Sequence, residues 1–210
     1  MAINKYGIIP YFANLIPGFS IEEHVSPDVW FSSEEGVWEW KGPVIRESEC
    51  AYGKFFDNKA AFVSMEWYPD LANYRRDGYD FDARFDDGLA SVREKELYDL
   101  LAEHEPILSK GLKIRGNYGK EGKKGFDSLI TRLQKLGYVV ISDFVYMQDK
   151  KGKTYGWGVS EYSTPEKLFR ESFTDRVYIR SPEESRERLF SHIKDMFPVV
   201  KEEDIYRFLG

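Results

Sequence analysis

The chain has 210 residues, 42% of them hydrophobic, a formal net charge of −6 and a single cysteine, Cys50. The length and hydrophobic fraction predict a globular protein with one large or two small domains, and the single cysteine excludes a disulfide framework. No stretch of the sequence approaches the roughly 20 apolar residues needed to cross a bilayer. Because the N-terminus resembles neither a secretory signal nor a transit peptide, we expect a cytoplasmic protein that does not bind membranes.

The first predicted region, residues 1–90, is an aromatic-rich α+β region that holds four of the five tryptophans. Its first 29 residues are short pieces broken by proline and glycine, which we expect to cap something larger. Two apolar segments, 51–56 and 59–63, flank Asp57-Asn58, a pair that suits a tight turn. This pattern predicts a β-hairpin.

The second predicted region, residues 91–162, begins with Ser91-Val92-Arg93-Glu94, which has the form of a capping box and predicts a helix to about His104. The elements expected after it are, in order, a short helix at 110–114, a glycine-rich loop, a second long helix at 126–136 ended by Gly137, and strands at 138–141, 144–147 and 154–157. Helices followed by a hairpin are the order of a winged helix, in which the third helix enters a major groove and the hairpin touches the adjacent backbone.

The third predicted region, residues 163–210, carries helix-start signals at Thr164-Pro165 and Ser181-Pro182, and a last helix at 202–209. We expect these helices to pack on the rest. The sequence as a whole therefore predicts an α+β fold, with a winged helix-turn-helix module between an aromatic-rich N-terminal region and C-terminal helices.

Positive charge is concentrated in one segment. Residues 106–160 contain 11 Lys or Arg against 4 Asp or Glu, a net charge of +7, which leaves −13 for the rest of the chain. Such asymmetry is typical of a polyanion-binding surface, although a solvated lysine face gives the same count. The candidate contacts to double-stranded DNA are Lys123, Lys124, Arg132, Lys135, Lys150, Lys151 and Lys153.

The aromatic region has two interpretations. Its large rings either form the core of the first half of the chain or, together with nearby cations, line a pocket in which an extruded base stacks. The candidate pocket residues are Trp38, Trp40, Tyr52, Lys54, Arg75 and Arg76.

Motifs for other chemistry are incomplete. The glycine-rich loop at 116–125 lacks the spacing of a phosphate-binding P-loop and follows a helix. The histidines, at positions 24, 104 and 192, have no zinc-ligand spacing. We therefore expect neither a metal nor a cofactor.

Several short strings resemble a family of uncharacterised AlkZ-related proteins, which is similar to the winged-helix DNA glycosylases. These strings are Trp38-Glu39-Trp40-Lys41, Tyr52-Gly53-Lys54-Phe55, Lys59-Ala60-Ala61-Phe62-Val63, Tyr74-Arg75-Arg76 and Tyr155-Gly156-Trp157. The resemblance covers about residues 30–170 and implies a winged-helix scaffold that binds DNA.

The resemblance does not extend to the glycosylase motif, in which Gln is followed by an apolar residue and then by Asp or Gln. The two glutamines of this chain, Gln134 and Gln148, precede Lys135-Leu136 and Asp149-Lys150. The leading hypothesis is therefore a non-catalytic DNA-binding protein. The alternatives are a glycosylase with a substituted active site, where a carboxylate such as Asp127 or Asp143 activates water, and a protein-interaction winged helix, which the overall acidity favours.

Overall fold

The computed structural model describes residues 2–30, 36–152 and 154–210, and it is a mixed α+β structure of helices and small antiparallel sheets. The α-helices are α1 (Ala2–Tyr6), α2 (Pro27–Trp30), α3 (Lys41–Glu47), α4 (Tyr68–Arg76), α5 (Phe81–Asp86), α6 (Val92–His104), α7 (Ser109–Arg115), α8 (Phe126–Lys135), α9 (Pro165–Phe169), α10 (Glu171–Thr174), α11 (Pro182–Met196) and α12 (Glu202–Leu209). The strands are β1 (Ile8–Pro10), β2 (Cys50–Phe56), β3 (Lys59–Ser64), β4 (Ile107–Leu108), β5 (Val140–Gln148) and β6 (Thr154–Ser163). Short 3₁₀ helices lie at Glu22–His24 and Val37–Glu39.

The first sheet has the order β1-β3-β2, and its hairpin confirms the prediction for residues 51–63. Asp57 and Asn58 both have positive φ angles, 48° and 58°, as a two-residue type I′ turn requires. Strand β1 was not predicted from the sequence, because three residues ending in proline give too short a pattern. It pairs with β3 at the edge of the sheet, where a residue without an N–H is tolerated.

The second sheet has the order β4-β6-β5. The two strands predicted at 138–141 and 144–147 form one strand, β5, which starts only at Val140 and changes register twice against β6. Tyr138 stays outside the strand because its N–H donates to the Leu133 carbonyl at 3.0 Å, closing the end of α8 behind Gly137. The two-residue strand β4 was too short to predict.

The predicted helix starts are confirmed. Ser91 and Glu94 form a complete capping box at α6, and Ser181 and Glu184 form another at α11. The side chain of Thr164 accepts from the Lys167 N–H at the start of α9. Each of these signals depends on residues within one turn, so neighbouring sequence is enough to specify them.

The apolar side chains form two buried clusters that join distant segments. One cluster contains Tyr52 of β2 and Phe144 of β5, whose ring centroids are 5.7 Å apart, and it extends to the buried side of α8. The other contains Phe55 and Tyr68 and is closed by apolar residues of α11 and α12, including Leu189. The aromatic-rich region and the segment from residue 91 to 162 therefore share a core.

Candidate nucleic-acid interface

Helix α8 presents a mixed polar face to solvent. Its buried residues, Phe126, Ile130 and Leu133, recur at helical spacing, and this places Ser128 and Arg132 on the exposed side. Gly125 precedes the helix with a φ of 83°, a conformation that favours glycine. The face that was predicted to contact DNA is thus accessible in the folded chain.

Arg132 has a partner, Glu94, that the sequence pattern did not predict. Its Nε donates to Oε1 of Glu94 at 2.5 Å, while its side chain remains 57% exposed. Burial by itself would raise the pKa of Glu94, but hydrogen bonds from Ser91 and the charge of Arg132 lower it below its usual value. The pair therefore links the start of α6 to α8 and leaves part of the guanidinium open to a ligand.

The two loop lysines are also engaged within the fold. Nζ of Lys123 lies 2.6 Å from Oε2 of Glu96, and Nζ of Lys124 donates to the Gly119 carbonyl at 2.6 Å and to the Lys120 carbonyl. The contact of Lys123 holds the glycine-rich loop against α6, and those of Lys124 lie within the loop. Both lysines are exposed, so the ammonium groups also face solvent.

Lys135 and Lys54 lie where the end of α8 meets the first sheet. The buried side chain of Gln134 joins the two elements, since its Oε1 accepts from the Lys54 N–H at 3.1 Å and its Nε2 donates to the Ile130 carbonyl at 3.2 Å. Lys135 is half-buried and lines a cleft beside the hairpin of that sheet. Gln134 is therefore a structural link between α8 and β2.

The β5–β6 hairpin carries Lys150 and Lys151 exposed at its turn, and Lys153 lies outside the described residues. Below the turn, residues 37–47 contact the hairpin at several points along its length: Trp38 packs edge-on against Trp157, the Tyr146 hydroxyl donates to Glu39, and Arg46 pairs with Asp143 at 2.6 Å. The basic turn thus projects from a hairpin that is fixed to the N-terminal region.

The six candidate pocket residues lie in separate places. Tyr52 is 3% exposed and belongs to the core, and Arg76 is 1% exposed. Trp38 covers Lys41, and Trp40 is partly exposed on the same segment. Lys54 is exposed on β2. Arg75 lines a cleft together with Lys135, a candidate DNA-contacting residue.

The buried guanidinium of Arg76 is an internal link. It donates to Glu166 at 2.7 Å, to the Tyr178 hydroxyl at 2.9 Å and to the Gly137 carbonyl at 2.7 Å, and it lies over the ring of Tyr138. Burial by itself would lower the pKa of Arg76, but the charge of Glu166 and, after it, Tyr178 raise it. Arg76 therefore stays charged and joins α4 to α8 and the C-terminal helices.

The two carboxylates considered as water activators are both ion-paired. Asp127 lies 3.0 Å from Nζ of Lys113, and Asp143 lies 2.6 Å from Nη1 of Arg46. Within the described ranges, no three His, Cys, Asp or Glu residues cluster as metal ligands would, and no helix has both the length and the apolar character needed to cross a membrane.

Comparison with known proteins identifies a family for the chain. A family model described as "AlkZ related" matches residues 1–210, which extends the resemblance found at residues 30–170 to the whole chain. No curated protein and no solved structure gives a significant match. The chain belongs to the AlkZ-related family.

Proposed function

We propose that residues 91–162 form a winged-helix module through which the protein binds double-stranded DNA without acting on it as an enzyme. The order helix, short strand, two helices and hairpin supports this fold, and so does the pairing of β4 with the second hairpin strand. Membership of the AlkZ-related family is consistent with DNA association.

The observation that supports DNA binding best is the exposed face of α8. Ser128 and Arg132 project from it, and Lys135 follows one turn after Thr131. In a helix-turn-helix fold this is the helix that enters the major groove, and hydroxyl and guanidinium groups are suitable donors to phosphates and base edges. Arg132 donates only Nε to Glu94 among the described residues, which leaves its terminal nitrogens for a ligand.

The hairpin turn is the second proposed contact. Lys150 and Lys151 are exposed there, and the contacts of residues 37–47 with the hairpin fix the direction in which the turn projects. A wing held in this way loses little conformational entropy when it meets the DNA backbone. The loop lysines, Lys123 and Lys124, are proposed to add weaker electrostatic contacts, because each already has a partner within the chain.

The overall charge of −6 makes the salt dependence of binding informative. Long-range attraction to DNA is expected mainly from the basic segment, because the rest of the chain carries a net negative charge. For duplex DNA, the logarithm of the binding constant falls as the logarithm of salt concentration rises, and each lysine that contacts a phosphate makes this slope steeper by roughly 0.9.

The test is fluorescence anisotropy with a labelled random-sequence duplex over a salt series. The test variant reverses the three wing charges, Lys150→Glu, Lys151→Glu and Lys153→Glu. A matched control reverses Lys5, Lys167 and Lys201, which are exposed outside the module. The wing variant should lose affinity and salt slope, whereas the control should lose much less. Equal losses would refute the proposed interface, and absence of binding by the unmodified protein at low salt would favour a protein partner.

A further inference from the structure

A cleft of about 610 Å³ opens where the end of α8 meets the hairpin of the first sheet. Its walls come from the first-sheet hairpin, the segment after β1, α4, the end of α8 and α12, so five parts of the chain form it. This volume lies in the range of small-ligand sites, roughly 300–1,000 Å³, and is too small for a duplex.

Four basic side chains line the cleft: Lys59 of β3, Arg75 of α4, Lys135 of α8 and Arg207 of α12. Asp57 is the one acidic residue among its lining residues. Like charges around one cavity repel each other, and the repulsion is relieved when an anion enters. The charge of the cleft therefore favours an anionic ligand.

The cations retain unused donors. Arg75 donates from Nη2 to the Phe55 carbonyl at 3.3 Å, while its Nε is buried without a hydrogen-bond partner. Burial lowers the pKa of Arg75, with the Tyr74 hydroxyl opposing the effect, and no described carboxylate side chain lies within ion-pair distance of it. Nζ of Lys59 donates to the Ala13 carbonyl, and Arg207 lies 3.9 Å from Asp204. Lys135 has no hydrogen-bond or ion-pair partner within the described chain.

The remaining walls of the cleft are mostly apolar, with Asn14 as a polar residue among them. Phe12 is half-buried and Leu15 is 44% exposed, and both line it beside the cations. Cations next to an accessible aromatic surface match the two parts of a nucleotide, since phosphate binds the cations and a base stacks on a ring. A simple inorganic anion would not use the apolar wall.

We propose that this cleft binds one unpaired nucleotide of a DNA strand, with its phosphate on the four basic side chains and its base against Phe12. The inference rests on the proposed function in one respect: Lys135, half-buried at the end of α8, also lines the cleft, so a strand that leaves the exposed face of α8 reaches the cleft next. The protein then prefers duplexes that have an unpaired tail.

The experiment compares a blunt duplex with the same duplex carrying a short thymidine tail. The unmodified protein should bind the tailed duplex roughly fivefold more tightly or better, the low end of the value of one stacked base. Lys59→Gln with Arg207→Gln should abolish this preference, because both side chains are exposed and line the cleft. The wing variant should weaken both duplexes and keep the ratio, and Lys167→Gln with Lys201→Gln should change neither.

The possible failures are distinguishable. Equal affinity for the two duplexes, or a tail preference that survives in the cleft variant, overturns the cleft inference and leaves duplex binding standing. If neither duplex binds, the proposed function fails, and the cleft is then tested with a thymidine pentanucleotide. Binding of the pentanucleotide that is lost in the cleft variant supports the inference. Absence of binding by the unmodified protein overturns it. Competition by thymidine monophosphate equal to that of the pentanucleotide would assign the cleft to free nucleotides and overturn the strand assignment.

Discussion

Glu94 and Arg132 form an ion pair at 2.5 Å in which the carboxylate is 6% exposed and the guanidinium 57% exposed. The same carboxylate accepts the N–H and hydroxyl of Ser91 through Oε2. One side chain thus caps α6 and fixes α8. The orientation of the proposed DNA-contacting helix depends on a residue two helices earlier in the chain.

Replacing Glu94 by alanine should lower the free energy of unfolding by about 2 kcal/mol, because the cap and a buried charged contact are lost together. Glu184 provides the matched control, since it closes the same type of capping box at α11 but is exposed and forms no ion pair within the described structure. Glu184→Ala should cost about 1 kcal/mol. Urea unfolding measures both. Equal losses would mean that burial and Arg132 contribute nothing.

The sequence predicted the elements whose determinants are local. The two capping boxes, the Asp57-Asn58 turn and the glycine end of α8 each depend on a few adjacent residues, and all are present. The partners of the cations could not be predicted in this way. Arg132 meets Glu94 across 38 residues, and Arg46 meets Asp143 across 97, so these contacts exist only once the core has formed.

The same reason explains the candidate pocket. The pocket hypothesis placed Arg75 and Arg76 around one ligand, yet adjacent positions on a helix point in different directions. Arg76 turns into the core, while Arg75 reaches the cleft. Lys59 and Arg207 were missed because they lie outside the basic segment, and only the tertiary fold brings them to Lys135.

Arg76→Met should destabilise the fold by about 3 kcal/mol or more, because Glu166 and Tyr178 lose a buried charged partner. The control is Arg188→Met. Arg188 also pairs with a carboxylate, Asp70, at 3.0 Å, but it is 39% exposed and Asp70 keeps other donors. Its loss should cost about 1 kcal/mol. Urea unfolding at neutral pH compares the variants, and similar losses would contradict an internal role for Arg76.

Gly137 combines a positive φ of 80° with close packing on α4. A Cβ added there would lie 3.0 Å from Cα of Ala72, whereas one added to Gly152, at a φ of 78°, would meet nothing within 4 Å. Both alanine variants carry the left-handed strain of about 1 kcal/mol, and Gly137→Ala also has to move a helix. We expect it to lose about 2 kcal/mol more than Gly152→Ala in thermal or urea unfolding. Equal losses would show that the contact with Ala72 relaxes freely.

Lys41 provides a pH-dependent test of the contact between residues 37–47 and the hairpin. Its side chain lies between the rings of Trp38 and Phe144, with Nζ 3.4 Å and 4.4 Å from their centroids. Burial lowers the pKa of Lys41 from 10.5 to about 8, with Glu39 opposing the effect. Between these two values the unfolded chain binds more protons than the folded chain, so this group makes stability rise with pH across that window.

Lys41→Met removes this dependence. Below pH 8 the amine is charged in both states of the unmodified protein and the burial cost is complete, so the methionine variant should be more stable there. The gain in the free energy of unfolding is at most on the order of 3 kcal/mol. It is smaller to the extent that the contacts of the ammonium group with the two rings already stabilise the unmodified protein. The advantage should shrink as pH rises toward 10. Tyrosines titrate in both proteins, so their contribution cancels in the difference. Urea unfolding at pH 7, 8.5 and 10 gives that difference, and a constant value would mean that Lys41 is solvated and that residues 37–47 do not cover the hairpin in solution.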